Sequence, residues 1–460
     1  MPVQIWWIRR DLRIMNNAAL QAAGKEGVPV VPVYILDARL MQSAGERRKQ
    51  FLLAGLQDLR HQLRQSGSDL VVRQGKPQEE LRKLLSETRA KKIFAEEDYS
   101  PYARKRDESI RHSLPLVLVL GLTAVNPSEM VTPQNRPYTV FYLFQRKWMA
   151  FPFLQINTTI PVEFVPAKSL PSSVPLPESR GVPGFPAGTE EAEKRLRDFL
   201  ENRITAYAGQ HDRMDLDGTS GLSPYIRFGM LSIGQIAASL RATGVEERGT
   251  AAWLRELIWR EFYQSILYHF PQVKDANFHP KYRRIAWRNA PADLQAWKDG
   301  RTGYPVVDAA MRQLSSTGWM HNRARMIAAS FLVKDLLIDW RVGERWFMEQ
   351  LVDGDLASNN GGWQWIAGTG TDAAPYFRIF NPVLQSRKFD PAGAYIRKWV
   401  PEISQLPDEW LHEPWKMPED RLWNYGVIPG KTYPVPIVDH SLARDRALAA
   451  YKATLREWVD

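Results

Sequence analysis

The order of apolar patterns along the chain is the strongest constraint on its fold, because the pattern changes only once, from alternating to helical. Short apolar runs rich in β-branched residues predict strands at 3–8, 28–36, 69–73, 92–95 and 116–120, with helix-like spacing at 45–65 and 77–89 between them. Such alternation is typical of right-handed βαβ crossovers around a parallel sheet. The first 125 residues therefore predict an α/β domain with a Rossmann-like sheet, although no GxGxxG follows the first strand.

Helical spacing dominates from residue 190 onward. It predicts helices at 190–208, 233–243, 249–268, 305–316, 322–337 and 442–458. The intervening segment is rich in proline, and within it residues 137–148 are aromatic enough to pack as a helix. A length of 460 residues fits two domains. We predict an α/β domain over 1–125, a connector over 126–190 and an all-α domain over 191–460.

Composition excludes several classes of function. The chain has no cysteine, which rules out disulfides and thiolate chemistry, and its eight histidines show no HxxxH or HxH spacing, so we predict no metal site. No apolar run approaches a membrane span, and the N-terminus has the reverse order of a signal peptide, which predicts a cytoplasmic location. The net charge of +10 favours a polyanionic partner. Nothing indicates an obligate oligomer, so we expect a monomer.

Residues 353–382 contain more side chains suited to ligand binding than any other segment of the chain. The segment combines carboxylates and amides with the pair Gly361-Gly362 and the indoles of Trp363 and Trp365. Amides and carboxylates can bind the polar edge of a heterocycle, indoles pack on flat rings, and we expect the glycine pair to be flexible. The segment predicts a tight pocket for a planar ligand. Its chemistry alone leaves open a tryptophan-rich turn that closes a helical core.

Two further segments have ligand-binding features. The segment at 219–229, TSGLSPYIRFG, has hydroxyl side chains and a glycine just before the predicted start of a helix. This arrangement predicts a phosphate-binding nest, and an ordinary Ser/Thr cap is the alternative. In the helical segment 253–270, Glu256 shares a face with Arg260, and Trp259 shares one with Tyr263. The alternative for the acid is a simple ion pair with Arg260.

These segments, with WWIRRDLR near the N-terminus and GWMHNRARM at 318–326, resemble the photolyase/cryptochrome family. The resemblance covers nearly the whole chain and is strongest from 207 to 390. It implies bound FAD, with DNA containing pyrimidine dimers as the partner. The implied function is a carbon–carbon lyase that repairs cyclobutane pyrimidine dimers by electron transfer from excited, reduced FAD to the flipped-out lesion. A cryptochrome-type blue-light photoreceptor without repair is the main alternative, and a colourless nucleotide-binding protein is a third.

The resemblance also implies roles for individual residues. The residues implied to contact FAD are Tyr207, Thr219, Ser220, Gly221, Leu222, Ser223, Trp253, Arg260, Trp319, Asn322, Arg325, Asp353, Asp355 and Asn359. Those implied to contact the DNA lesion are Glu256, Trp259, Asn322, Met326 and Trp365. The residues implied to be catalytic are Glu256, Asn359 and three tryptophans that form an electron-transfer chain, namely Trp287, Trp340 and Trp363. The basic residues Arg283, Arg284, Arg378, Arg387 and Lys388 are candidates for the rim that holds DNA phosphates.

Two substitutions indicate which members of the family the chain resembles. The (6-4) photoproduct enzymes have histidines where this chain has Asn322 and Met326, so the resemblance is to class I cyclobutane dimer enzymes. Members that bind a folate antenna have a glutamate where this chain has Ala103. We therefore favour a deazaflavin over a folate as a second, antenna chromophore. Its candidate ligands are Asp37, Arg48 and Asp98.

Overall fold

A computed structural model describes residues 2–151, 162–243 and 248–459 of the chain. The chain divides into two compact units. The first comprises Met1–Thr205, Ser220–Pro271 and Val352–Ala357, and the second comprises Ala206–Thr219, Gln272–Leu351 and Ser358–Asp460. The predicted domain boundaries at 125 and 190 stay a prediction, and residues 152–161 of the predicted connector lie outside the described residues.

A five-stranded parallel sheet forms the centre of the first unit. Its strands are β1 Gln4–Ile8, β2 Val30–Leu36, β3 Val71–Gln74, β4 Ile93–Glu96 and β5 Leu116–Val119, in the spatial order β3-β2-β1-β4-β5. Every residue of β2 is buried, as expected for a strand covered on both faces. The strand order reverses direction between β1 and β4, so the carboxyl ends of these two strands form the crevice at which doubly wound sheets bind ligands.

Helices make up most of the remainder, and the predicted fold class is confirmed. Up to residue 271 the helices are α1 Ala18–Ala23, α2 Ala38–Ser43, α3 Glu46–Gln65, α4 Pro77–Thr88, α5 Pro101–Arg111, α6 Phe141–Met149, α7 Thr189–Asn202, α8 Tyr207–Gln210, α9 Ser223–Arg227, α10 Ile233–Thr243 and α11 Arg248–His269. Beyond it they are α12 Pro291–Lys298, α13 Pro305–Thr317, α14 Asn322–Ser330, α15 Trp340–Gln350, α16 Leu356–Ala367, α17 Pro382–Phe389, α18 Ala394–Trp399, α19 Asp408–Leu411, α20 Glu419–Asn424 and α21 His440–Val459.

Three sequence-based expectations about helices are wrong. The helix predicted at 190–208 ends at Asn202. In place of the helix predicted at 322–337, the α-helix ends at Ser330 and a π-helical turn, Phe331–Asp335, follows it. The pair Gly361-Gly362, which was expected to be flexible, lies inside α16. Local propensity and spacing are weak guides to helix ends and to single glycines inside helices.

The π-helical turn places two charged residues in the interior of the second unit. Lys334 is 1% exposed, and its Nζ donates hydrogen bonds to the carbonyl oxygens of Ala367 at 3.0 Å and Tyr376 at 3.2 Å. The same Nζ lies 3.8 Å above the ring centroid of Tyr451. Asp335 next to it accepts a hydrogen bond from His440 at 2.5 Å. Burial lowers the pKa of Lys334 from 10.5 to about 7.

We predict that Lys334→Met removes a pH dependence of stability. The pKa of Lys334 is lower in the folded than in the unfolded chain, so between about pH 7 and pH 10.5 only the unfolded chain binds the proton. The contribution of neutral Lys334 to the free energy of unfolding is therefore complete above pH 10.5 and is lost as pH falls through about 7. Relative to Lys334→Met, the wild-type free energy of unfolding should fall as pH decreases from 10 to 7, by up to about 1.4 kcal/mol per pH unit. Urea unfolding over this range measures it, with the exposed Lys431→Met as control. Parallel wild-type and Lys334→Met curves would contradict the prediction.

Candidate functional site

A buried carboxylate joins three distant sequence motifs in the first unit. Asp355, from the DGDLASNN motif, accepts hydrogen bonds from Nη2 of Arg10 at 2.6 Å and Nε2 of Gln264 at 3.0 Å. Nε of Arg227 lies 3.7 Å from the same carboxylate and donates to the carbonyl oxygen of Gly354 at 3.0 Å. Arg10 belongs to WWIRRDLR, Arg227 to TSGLSPYIRFG, and Gln264 to the long helix α11. We call these four residues the Asp355 cluster.

Backbone packing places Arg10 in this cluster. Arg10 follows β1, so it lies at the carboxyl end of the strand beside which the sheet reverses direction. Gly229 has a φ of +64°, and a Cβ there would lie 1.9 Å from the carbonyl oxygen of Arg10. Only glycine therefore permits this approach of the two chains. The backbone amide of Leu12 also donates to the carbonyl oxygen of Phe228 at 3.1 Å.

Charge in the Asp355 cluster is not fully compensated within the protein. Burial, followed by the nearby cation Arg10, lowers the pKa of Arg227 to about 9, despite the opposing effect of Asp355. Nη1 of Arg227 is buried and has no hydrogen-bond partner among the described residues. A buried guanidinium with an unused donor suits an anionic ligand group, because such a donor is costly to leave unpaired. The cluster therefore fits an anionic cofactor such as FAD.

Helix α11 presents Glu256, Arg260 and Gln264 at four-residue spacing, so all three lie on one face. Nη1 of Arg260 donates to the carbonyl oxygen of Leu122 at 3.1 Å and lies 3.4 Å from Oε1 of Glu261.

The carboxyl group of Glu261 is buried, since the residue is 2% exposed. Its Oε2 accepts from the amide of Ala124 at 3.0 Å and from the indole Nε1 of Trp148 at 3.2 Å. Burial raises the pKa of Glu261 to about 7 against the opposing effect of Arg260. The predicted FAD residue Trp253 is 3% exposed and packs on Phe199 at 4.8 Å.

The predicted phosphate segment is a tight turn followed by a short helix. Gly221 has a φ of +63°, and α9 begins two residues later, at Ser223. The residue at the N-cap is Leu222, which has no side-chain acceptor. The cap of α9 is therefore not the ordinary Ser/Thr cap that the sequence left open as an alternative. Of the same predicted set, Tyr207 is buried in the second unit and stacks on His211 at 5.0 Å.

In the second unit, the orientation of one predicted catalytic amide is fixed. Nδ2 of Asn359 donates to the backbone oxygen of Glu344 at 3.0 Å and to its Oε1 at 2.8 Å. Both acceptors require the amide nitrogen on that side. The side-chain oxygen of Asn359 is therefore the atom that remains for a ligand donor.

Other predicted residues of the second unit surround the start of α14. Asn322, the first residue of this helix, is exposed, and its Nδ2 lies 3.9 Å from the sulfur of Met326. Nε of Arg325 donates to the carbonyl oxygen of Met320 at 2.8 Å. His321 caps the helix through Nδ1, and burial lowers its pKa to about 4, so the imidazole is neutral. Trp319 is half-buried.

The three tryptophans of the predicted electron path all lie in the second unit. Trp340 is 1% exposed, and its indole nitrogen donates to Oδ1 of Asn277 at 2.6 Å. Trp363 is 2% exposed, and a Cβ on Gly343 would lie 2.2 Å from its Cη2, so the indole packs directly on α15 one turn beyond Trp340. Trp287 is half-buried, with its ring edge-on to Tyr451 at 6.2 Å. Trp363 and Trp340 are buried and Trp287 is half-buried, which is compatible with a path from the interior to the surface. Electron transfer along these three tryptophans stays a prediction.

Two of the three antenna candidates follow β2 and β4, the strands that lie on either side of β1. Asp37 follows β2 and accepts a hydrogen bond from the hydroxyl of Tyr102. Asp98 follows β4 and lies 3.6 Å from Arg10. Burial acts to raise the pKa of Asp98, but Arg10 and the amide of Ser100 outweigh it, and the pKa is lowered to about 2. Arg48 lies against Gly354, next to the Asp355 cluster.

Sequence reasoning missed four residues with central positions, namely Arg10, Arg227, Gln264 and Glu344. Gln264 was recoverable, because it continues the four-residue spacing of Glu256 and Arg260. Arg10 and Arg227 lie inside quoted motifs, but no sequence signal connects them or Glu344 to their partners, which are between 15 and 345 residues away. The five predicted rim residues are exposed, as DNA contact would require. Among the described residues, no helix is long and apolar enough to cross a membrane, and no group of acidic or histidine side chains could hold a metal ion.

Comparison with known proteins gives matches over nearly the whole chain. Residues 253–453 match the family model for the FAD binding domain of DNA photolyase, and residues 4–164 match the DNA photolyase model. The deoxyribodipyrimidine photo-lyase of Escherichia coli is 40% identical, over 98% of this chain and 99% of its own. A bacterial class III photolyase from Agrobacterium tumefaciens superposes with a TM-score of 0.89 at 37% identity, covering 99% of this chain and 98% of its own. An archaeal photolyase from Sulfolobus tokodaii, solved with two FAD molecules, superposes with a TM-score of 0.84 at 32% identity. This match covers 98% of this chain and 99% of the archaeal one.

We predict that Asp355→Asn destabilises the chain. The substitution removes the charge that Arg10 and Arg227 share, which should cost about 2 kcal/mol after allowance for the partial exposure of the two arginines. Urea unfolding measures the loss. The exposed Asp420→Asn, which makes the same change outside the cluster, should leave the free energy of unfolding unchanged. Equal stabilities for the two variants would show that the Asp355 cluster is not a stabilising network.

Proposed function

The chain belongs to the DNA photolyase family, and we propose that it is a light-driven lyase that splits cyclobutane pyrimidine dimers in DNA. The observation that carries the proposal is the similarity over nearly its whole length to a curated deoxyribodipyrimidine photo-lyase. The net charge of +10 supports DNA as the partner, because cationic surfaces bind the phosphate backbone. The photoreceptor alternative is not better supported than the lyase. Assignment to class I, a cytoplasmic location and a monomeric state stay predictions.

FAD is the cofactor of this proposal, since the matching family model is a FAD binding domain. When bound and reduced, FAD supplies the light-driven electron, and the protein supplies binding, orientation and electrostatics. In the first unit, we assign Ser220, Gly221, Leu222, Ser223, Trp253, Arg260, Asp353 and Asp355 to FAD. In the second unit, we assign Tyr207, Thr219, Trp319, Asn322, Arg325 and Asn359. The unused donor of Arg227 beside Asp355 supports this assignment, because it suits the negative charge of the cofactor.

Asn359 has a defined chemical part in the proposal. Its amide hydrogens are both committed to Glu344, so its oxygen is the atom that would accept a hydrogen bond from a ring N–H of the flavin. The buried carboxylate of Glu344 thus acts as the residue that orients Asn359. A fixed acceptor avoids the reorganisation that a freely rotating amide would need when charge on the ligand changes.

The lesion contacts would come from residues whose chemistry suits a flipped-out dimer. Extrusion of a damaged pair costs less than extrusion of an intact one, and an aromatic site recovers part of the lost stacking. We assign Glu256 to hydrogen bonding with the bases, and Trp259 and Trp365 to stacking on them. Asn322 and Met326, which contact each other at α14, complete the set. Trp287, Trp340 and Trp363 would reduce the flavin by passing an electron inward from the surface.

A second chromophore is part of the proposal, and we favour a deazaflavin over a folate. Ala103 is 2% exposed and stands where folate-binding relatives have a glutamate, so no carboxylate is present there to hold a folate. Asp37 and Asp98 lie at the carboxyl ends of β2 and β4, the strands that flank β1, and doubly wound sheets bind ligands at this edge. The archaeal photolyase solved with two FAD molecules shows that the second chromophore of a relative can itself be a flavin. Extraction of the purified holoprotein and mass spectrometry would identify it.

We predict light-dependent repair that depends on Glu256. The reduced protein is mixed with an oligonucleotide that contains one thymine cyclobutane dimer, and dimer loss is compared in blue light and in darkness. Glu256→Ala should lower repair about ten-fold or more at equal FAD content, because a buried base edge loses its hydrogen-bond partner. A matched control is Glu349→Ala, which removes an exposed acid from another helix, α15.

Three outcomes of this assay separate the proposals. Dimer loss in light that weakens in Glu256→Ala supports both the lyase and its lesion site. A yellow protein that photoreduces but leaves the dimer intact would favour the photoreceptor. A colourless protein that does not bind added FAD would exclude both.

We also predict that Glu344→Ala impairs the flavin without removing it. Loss of the carboxylate frees the amide of Asn359 to rotate, so the reduced cofactor should reoxidise in air at least about five-fold faster, which corresponds to one neutral hydrogen bond of about 1 kcal/mol. Absorbance after photoreduction follows the reoxidation. Glu344→Gln, which keeps an acceptor oxygen, should retain most of the wild-type lifetime. Equal lifetimes in wild type and Glu344→Ala would refute the orienting role.

A further inference from the structure

An unusually close ring stack joins α6 to α11, the helix that carries two of the proposed lesion residues, Glu256 and Trp259. Phe141, the first residue of α6, lies parallel to the indole of Trp259, with 3.7 Å between ring centroids and 1° between planes. Aromatic pairs usually adopt offset or edge-on arrangements about 4.5–7 Å apart. Phe141 is 7% exposed, whereas Trp259 is half-buried. The buried ring therefore backs an indole that still reaches the surface.

Helix α6 is fixed on α11 along its whole length, so Phe141 cannot move independently. Near its C-terminus, the indole nitrogen of Trp148 donates to Oε2 of Glu261 at 3.2 Å. In the middle, Phe144 is edge-on to Phe262 at 5.3 Å. Trp148 and Phe144 are both 1% exposed or less. These contacts make α6 a rigid support for the ring of Phe141.

An indole has two faces, and Phe141 covers one of them. Tyr263, one turn further along α11, lies beside the indole of Trp259 at 5.5 Å with its ring tilted by 34°. The plane of Trp259 is thus determined from one face and one side. We propose that Phe141 is a positioning residue that sets this plane in advance, so that the opposite face of Trp259 stacks on the flipped-out dimer.

This inference rests on the proposed function, because it requires Trp259 to contact the lesion. Its physical basis is preorganisation, since a side chain that is already held loses little freedom when the ligand binds. Without Phe141, Trp259 would sample other rotamers, and part of the stacking energy would be used to restore its orientation. The effect should appear in affinity for the dimer and not in affinity for intact DNA.

The test compares Phe141→Leu with Phe144→Leu. Both variants remove an aromatic ring from the same interface, but only Phe141 stacks on Trp259. Binding is measured with an oligonucleotide that contains one thymine dimer and with the same sequence undamaged. Phe141→Leu should weaken dimer binding about five-fold, at unchanged FAD content and unchanged binding of intact DNA. Phe141→Tyr, which keeps the ring, should bind the dimer like wild type, and Phe141→Met replaces Phe141→Leu if the latter does not fold.

A double-mutant cycle decides whether Phe141 acts through Trp259. Trp259→Leu alone should weaken dimer binding about ten-fold or more, as expected for loss of a stacking aromatic. Adding Phe141→Leu to it should then have no further effect, because its target is gone. Independent losses, an equal loss in Phe144→Leu, or an equal loss on intact DNA would overturn the inference. If wild type repairs dimers but the cycle shows no coupling, only this inference fails, whereas a wild type without repair contradicts the proposed function itself.

Discussion

Charge balance around Asp355 is the interaction on which the first unit depends. One carboxylate there lies beside two largely buried arginines and a glutamine that come from the end of β1, from α9 and from α11. Burial of an unmatched cation is costly, so the three elements meet where the carboxylate can be shared. Arg10 also has Asp98 at 3.6 Å as a second anion, whereas Nη1 of Arg227 keeps an unused buried donor. The same imbalance that limits stability makes the cluster suitable for an anionic cofactor.

The fold could be predicted largely because its pattern is simple. A parallel strand buried on both faces requires a continuous apolar run, and all five such runs became strands within a few residues of their predicted bounds. Long helices such as α3 and α11 were equally clear. The prediction failed at helix ends and at glycines, where local preference is a weak guide. Gly361 and Gly362 were expected to be flexible, yet they lie within α16, and the π-helical turn at Phe331–Asp335 interrupts a sequence that is typical of a regular helix.

The candidate site was predictable only in part, for a different reason. Sequence motifs indicate which segments matter, and residues such as Asp355 and Asn359 stood out by their chemistry. Their partners did not, because Arg10 is 345 residues from Asp355, and Glu344 lies in a helix that the spacing did not predict. A side chain that orients another needs no distinctive neighbours in the sequence. It becomes recognisable only when the fold brings the two together.

These orienting contacts explain how a protein can control chemistry that belongs to a cofactor. When the cofactor performs the difficult step, the residues around it contribute mainly by holding donors, acceptors and rings in place. Glu344 fixes the amide of Asn359, Gly229 admits the backbone of Arg10, and Phe141 sets the plane of Trp259. None of the three has the reactivity expected of a catalytic group. Their substitution should therefore leave the type of reaction unchanged and lower its efficiency, which separates positioning residues from those that touch the reacting atoms.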